Sequence, residues 1–62
     1  MRRKIVDCYH DFVLVRSYDF PFQNREGEPH HADLIRTAKD LLMRDGTPEA
    51  LLPHFVFPVR DG

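Results

Sequence analysis

The chain has almost nothing with which to staple itself. Cys8 is the only cysteine among its 62 residues, so an internal disulfide is excluded. A lone thiol fits a reducing compartment, and a cytoplasmic protein is expected. No apolar run is longer than four residues, Phe12 to Val15, which is far too short to cross a membrane. Met1-Arg2-Arg3-Lys4 is basic, but polar residues soon interrupt the apolar positions after Lys4, so no secretory leader is expected. Charge of one sign is lacking too. Ten acidic residues face nine basic ones, for a formal net charge of -1. Such a balance gives no general attraction for nucleic acid or an anionic membrane. Internal repeats, linkers and low-complexity segments are absent, which excludes collagens, coiled coils and solvated tails.

What is present is enough for one small core. Hydrophobic residues make up 42% of the chain and charged ones 31%. The length allows a single domain, residues 1–62, with residues 1–4 as a basic N-terminal arm. A chain of this size buries only about 60% of the surface its unfolded form exposes. Its core then supplies roughly 3–5 kcal/mol, a marginal stability. With no disulfide to add, a metal, a second copy of the chain or an unusually good core is left as the remedy, and a homodimer is expected.

Residues 5–18 are rich in β-branched and aromatic types, among them Ile5, Val6, Tyr9, Phe12, Val13, Val15 and Tyr18. This composition favours strand. One long strand and a hairpin both fit. The hairpin is preferred, because so small a core needs more than one strand. Turning at His10-Asp11, it sets Cys8 opposite Val13 and Val6 opposite Val15, although the Asn-Gly or Gly-X pair of tight turns is missing. Residues 19–29 carry Pro21, Gly27 and Pro29 and read as the main loop.

From His30 to Asp45 the pattern is helical. Leu34, Ile35, Ala38, Leu41 and Leu42 form one apolar stripe. Asp33, Arg36, Asp40 and Arg44 alternate in sign on the other side at helical spacing. Pro29 suits the first helical position and Gly46 the left-handed C-terminal cap. Thr47-Pro48-Glu49 restarts the chain as a short turn capped by Thr47 and stopped by Pro53. His54 to Val59 reads as a short strand, with Pro58 on an edge or at its end. The expected fold is therefore α+β, in the order β-β-α-turn-β. A small antiparallel sheet of two or three strands carries one amphipathic helix on a face.

Four groupings could carry chemistry. Cys8 and His10 point the same way on a strand, and His30, His31 or His54 could complete a zinc site with them. Neither Cys-x2-Cys nor His-x3-His spacing occurs, so composition alone supports a metal module. Cys8 beside a histidine could also be a nucleophile, but nothing in the sequence supplies an oxyanion hole, and an enzyme is not expected. Asp7, Asp11 and Asp19 lack EF-hand spacing and read as solvating groups. Arg2, Arg3 and Lys4, assisted by Arg16 or Arg25, could touch phosphate in a dimeric nucleic-acid-binding regulator.

The aromatic set is the strongest of the functional signals. Phe20, Phe22, Phe55, Phe57, Tyr9 and Tyr18 are many for one helix on a few strands to cover, and aromatics are favoured interface anchors. The sequence therefore points to a non-catalytic interaction or regulatory module that needs no cofactor. It would bind a protein partner as a homodimer, through Tyr18, Phe20, Phe22, Phe55 and Phe57.

Overall fold

The computed structural model describes residues 2–23 and 27–62. Strand β1 (Arg2–His10) and strand β2 (Val13–Phe22) form a long antiparallel hairpin. Helix α1 (His31–Arg44) comes next, then a 3-10 helix (Glu49–His54) and two short strands, β3 (Phe55–Val56) and β4 (Val59–Asp61). β1 is the central strand. It pairs with β2 on one side and, on the other, with β3 near its end and β4 near its start, all antiparallel.

The α+β fold and the single packed helix match expectation, but the strand count does not. Four strands are present among the described residues where two or three were expected. The expected tail strand is split at Phe57-Pro58, and its two pieces occupy one edge of the sheet. The break does not isolate Pro58, whose carbonyl accepts the Asp7 N–H at 3.0 Å.

The hairpin forms in a different register. The turn is Asp11-Phe12, both with positive φ (51° and 64°). Val15 then has no partner across the strand, a bulge that shifts the pairing between Cys8 and Tyr9. Cys8 thus faces Arg16, not Val13, and Val6 faces Tyr18, not Val15. A turn with two left-handed residues matches the twist of the strands. That geometric demand overrides the poor fit of Phe at such a position.

The loop expected from residue 19 begins later, because β2 runs through Asp19-Phe20-Pro21-Phe22. Pro21 can sit there for a structural reason. It pairs with Arg3, whose carbonyl accepts the Gly62 N–H at 3.1 Å on the opposite side of β1. The backbone groups of this pair point away from each other, so the missing proline N–H takes no bond from the β1–β2 ladder.

Helix α1 buries Leu34, Ala38 and Leu42 and half-buries Ile35 and Leu41, as the stripe predicts. Leu34 and Ala38 meet Val6 in the core, with Tyr18, Phe20, Phe57 and Val59 packed around them. The helix ends as expected at Gly46 (φ 110°). The Gly46 N–H bonds to the Met43 carbonyl at 3.0 Å and the Thr47 N–H to the Leu42 carbonyl at 3.1 Å, a Schellman closure. At the other end His30 is the cap residue, so Pro29 lies just outside the helix and not at its first position. Pro48, not Thr47, precedes the 3-10 helix. Pro53 lies inside that helix and does not stop it, since so short an element loses few bonds to one missing N–H.

Candidate functional site

Cross-strand partners share a face, so the register sorts every side chain of the sheet. Lys4, Val6 and Cys8 face the helix with Phe20, Tyr18 and Val59. Asp7 and Ser17 lie on the opposite face. There Asp7 accepts from the Ser17 hydroxyl at 2.6 Å and from Arg60 Nε at 2.9 Å. Those two donors, Arg60 first, hold the Asp7 carboxyl below its ordinary range although the side chain is nearly buried. Among the described residues no buried side-chain polar atom lacks a hydrogen-bond partner. The polar network is therefore satisfied within the chain.

The basic residues at the start of the sequence are not loose. Arg2, Arg3 and Lys4 open β1, and each meets a carboxylate. Arg2 lies 3.1 Å from Glu28 and Arg3 lies 2.9 Å from Asp19. Lys4 reaches Asp61 at 2.6 Å and Glu28 at 3.0 Å. These hydrogen bonds, Asp61 first, hold the Lys4 ammonium above its ordinary value and hold Glu28 and Asp61 below theirs. Arg16 sits 3.6 Å from Asp45. Each of these four bases therefore has a carboxylate beside it. Arg25 lies outside the described residues. An open basin of about 520 Å³, lined by Arg2, Arg3, Asp61 and Gly62, is built from these same paired charges.

Cys8 is fully buried in β1, and burial pushes its thiol pKa up, away from the thiolate. His10 stacks obliquely on Phe55 with ring centroids 5.1 Å apart. His30 and His31 stand at the start of α1. Among the described residues no three of the His, Cys, Asp and Glu side chains come together as a metal-binding group. No helix among them is long and apolar enough to cross a membrane.

The aromatic residues singled out by the sequence are divided by the fold. Phe22 is buried, with the Arg2 guanidinium 5.4 Å from its ring centre. Tyr18, Phe20 and Phe57 pack on the core, and Lys39 covers the Phe57 ring at 5.5 Å. Phe55 stacks on Phe57 with centroids 6.0 Å apart. The Tyr18 hydroxyl donates to Asp45 at 2.5 Å. Desolvation and that bond push its pKa up to about 12.

The exposed apolar residues are others. Phe12 is 101% exposed, Val13 and Val56 are each 62%, Leu14 and Val15 are about half exposed, and Leu51 of the 3-10 helix is 41% exposed. Four of these six are the hairpin turn and the start of β2. Val56 shares the partner Tyr9 with Leu14, so Tyr9, Leu14 and Val56 lie side by side on the face away from the helix. Beside them is a depression of about 320 Å³ lined by Tyr9, Asp11, Phe12, His54 and Val56. Sequence reasoning passed over Phe12, Val13, Leu14 and Val56 as ordinary strand residues. The available signal was that Phe12–Val15, the longest apolar run in the chain, sits at the turn where the core cannot reach. No known protein family, no curated protein and no solved structure matches this chain, so its function must be argued from this surface.

Proposed function

We propose that the protein is a small non-catalytic interaction module that binds another polypeptide through the apolar end of its hairpin. One observation carries this reading: the longest apolar run in the chain, Phe12 to Val15, lies in solvent together with Val56. Exposed apolar side chains gathered at one end of a small folded protein mark an interaction site. Phe12 supplies on the order of 200 Å² of it. The turn adds support. A bulky residue at positive φ is strained by about 1–2 kcal/mol, and strain of this kind gathers where function holds it in place. The outer edge of β2 has no strand paired to it among the described residues, so backbone pairing could extend the same contact. The buried, protonated Cys8 thiol suits a reducing, cytoplasmic setting.

Photo-crosslinking in the source cell tests the reading. A benzophenone amino acid at position 12 should give discrete polypeptide adducts, while the same group at Asp40, on the exposed side of α1, should give none. Absence of adducts at position 12, or equal yields at both positions, would refute it.

A further inference from the structure

We propose that the polypeptide bound at the hairpin end is anchored there by an arginine side chain. Its guanidinium would lie between the Phe12 ring and the Asp11 carboxylate, with its aliphatic stem against Tyr9 and Val56. The inference rests on the interaction reading above and names the chemistry of the partner.

The chain itself shows what its aromatic rings attract. The Arg2 guanidinium lies 5.4 Å from the centre of the Phe22 ring, and the Lys39 ammonium 5.5 Å from that of Phe57. A cation is drawn to the electron-rich face of such a ring. Phe12 is a ring of the same kind, but no base among the described residues covers it. Its side chain stands wholly in water, so both faces are open to a cation from outside.

Charge selects the occupant. The three acids of the strands, Asp7, Asp19 and Asp61, each meet an Arg or Lys of the chain at 2.9 Å or less. Asp11, at the turn, meets neither among the described residues. The His10 ring stands beside it, with Nδ1 3.6 Å from one carboxylate oxygen. That is beyond hydrogen-bond length, and the Asp11 side chain keeps 87% of its surface in water. The depression of about 320 Å³ that Asp11 and Phe12 line with Tyr9, His54 and Val56 contains no Lys or Arg. A phosphate or an anionic lipid headgroup would find a like charge there and no strong base.

Of the strong bases, arginine fits this site better than lysine. Its planar guanidinium stacks on an aromatic face, forks onto a carboxylate and is more weakly hydrated than an ammonium. The size agrees. Ligand sites run from roughly 300 to 1,000 Å³, and this depression, at the lower end, has room for one side chain and not for a large ligand.

Amide NMR of the full chain tests this with Nα-acetyl-arginine methylamide. The matching citrulline compound keeps the stem and the planar head but not the charge. The arginine probe should shift the amides of Tyr9, Asp11, Phe12 and Val56. It should bind about fivefold more tightly than the citrulline probe, the scale of one exposed contact between a cation and a ring. The lysine compound should fall between them. Asp11→Asn and Phe12→Gly should each cut the preference for arginine to about twofold or less. Both replacements tolerate the positive φ of the turn, so amide signals away from the hairpin end should be unchanged. The absence of shifts at the hairpin end overturns the proposal. So does equal affinity for arginine and citrulline, tighter binding of lysine than of arginine, or an undiminished preference in both variants. In each of these cases adducts from the crosslinker at position 12 would leave the interaction reading standing, whereas their absence would end both.

Discussion

Apolar residues along the hairpin of β1 and β2 meet opposite fates at its middle and at its turn. In the first part and middle of β1, Lys4, Val6 and Cys8 lie on the helix side of the sheet, and all three are buried. Toward its end, Tyr9 and His10 have Val13, Leu14, Val56 and Phe55 as strand partners. There Val13, Leu14 and Val56 stay exposed. Apolar residues stand in both places; cover is what differs. A 14-residue helix spans about 21 Å at the usual rise, while the whole molecule is 37 Å long. One helix cannot roof the whole sheet. Burial is thus a property of position along the hairpin, and the proposed contact is placed at its uncovered end.

The comparison can be broken most forcefully at the covered end. Leu42→Ala should destabilise the protomer by about 2–5 kcal/mol, since it opens a cavity under a residue only 1% exposed. Chemical denaturation at low protein concentration would measure this. Phe12→Ala under the same conditions should change stability by less than about 0.5 kcal/mol. Equal effects would mean that the two ends are not differently packed.

Asp7→Asn comes next. It weakens the acceptor for Ser17 and Arg60 on a nearly buried side chain and should cost about 1–3 kcal/mol. It also bears on acid stability. Asp7, Glu28 and Asp61 all have lowered pKa values in the fold. Their contribution is complete above the range where free carboxylates titrate, about pH 4, and is lost as pH falls through the lower folded values. Melting temperature should therefore drop below that range, and less steeply in Asp7→Asn. An acid limb identical to wild type would show that Asp7 titrates alike in the folded and unfolded chains.

The alkaline side has a different origin. Lys4 and Tyr18 both have raised pKa values, Tyr18 near 12. Their stabilisation is complete below about pH 10 and is lost as pH rises through the folded values. Phenol absorbance should show one tyrosine ionising near pH 12, and Tyr18→Phe should remove that step. The same variant should cost about 1 kcal/mol through the lost bond to Asp45. A small effect is likewise expected for Arg36→Ala. Its 3.5 Å pair with Asp33 is exposed, and such pairs contribute only about 0–1 kcal/mol.

Helix α1 and its cap were legible because their information is local. Leu34, Ala38 and Leu42 recur at the helical period, and Gly46 supplies a conformation that other residues avoid. The hairpin register was not legible. It depended on the turn at Asp11-Phe12 and on the bulge at Val15, and no Asn-Gly marks the one or interruption the other. That the exposed apolar side chains are not those of the aromatic set has a similar reason. Aromatic content locates material for burial, but it does not say which rings the helix will reach. Phe20, Phe22 and Phe57 were reached, and Phe12 was not.

By itself, then, the sequence determined that the chain forms a small α+β unit with one amphipathic helix, no internal disulfide and little net charge, because composition and periodicity act over a few residues at a time. Only the tertiary structure decided which basic residues find acids and which apolar residues are left in water. Both outcomes depend on which segments, distant along the chain, come to lie side by side: Lys4 against Asp61, Arg60 against Asp7, and the helix over one end of the sheet.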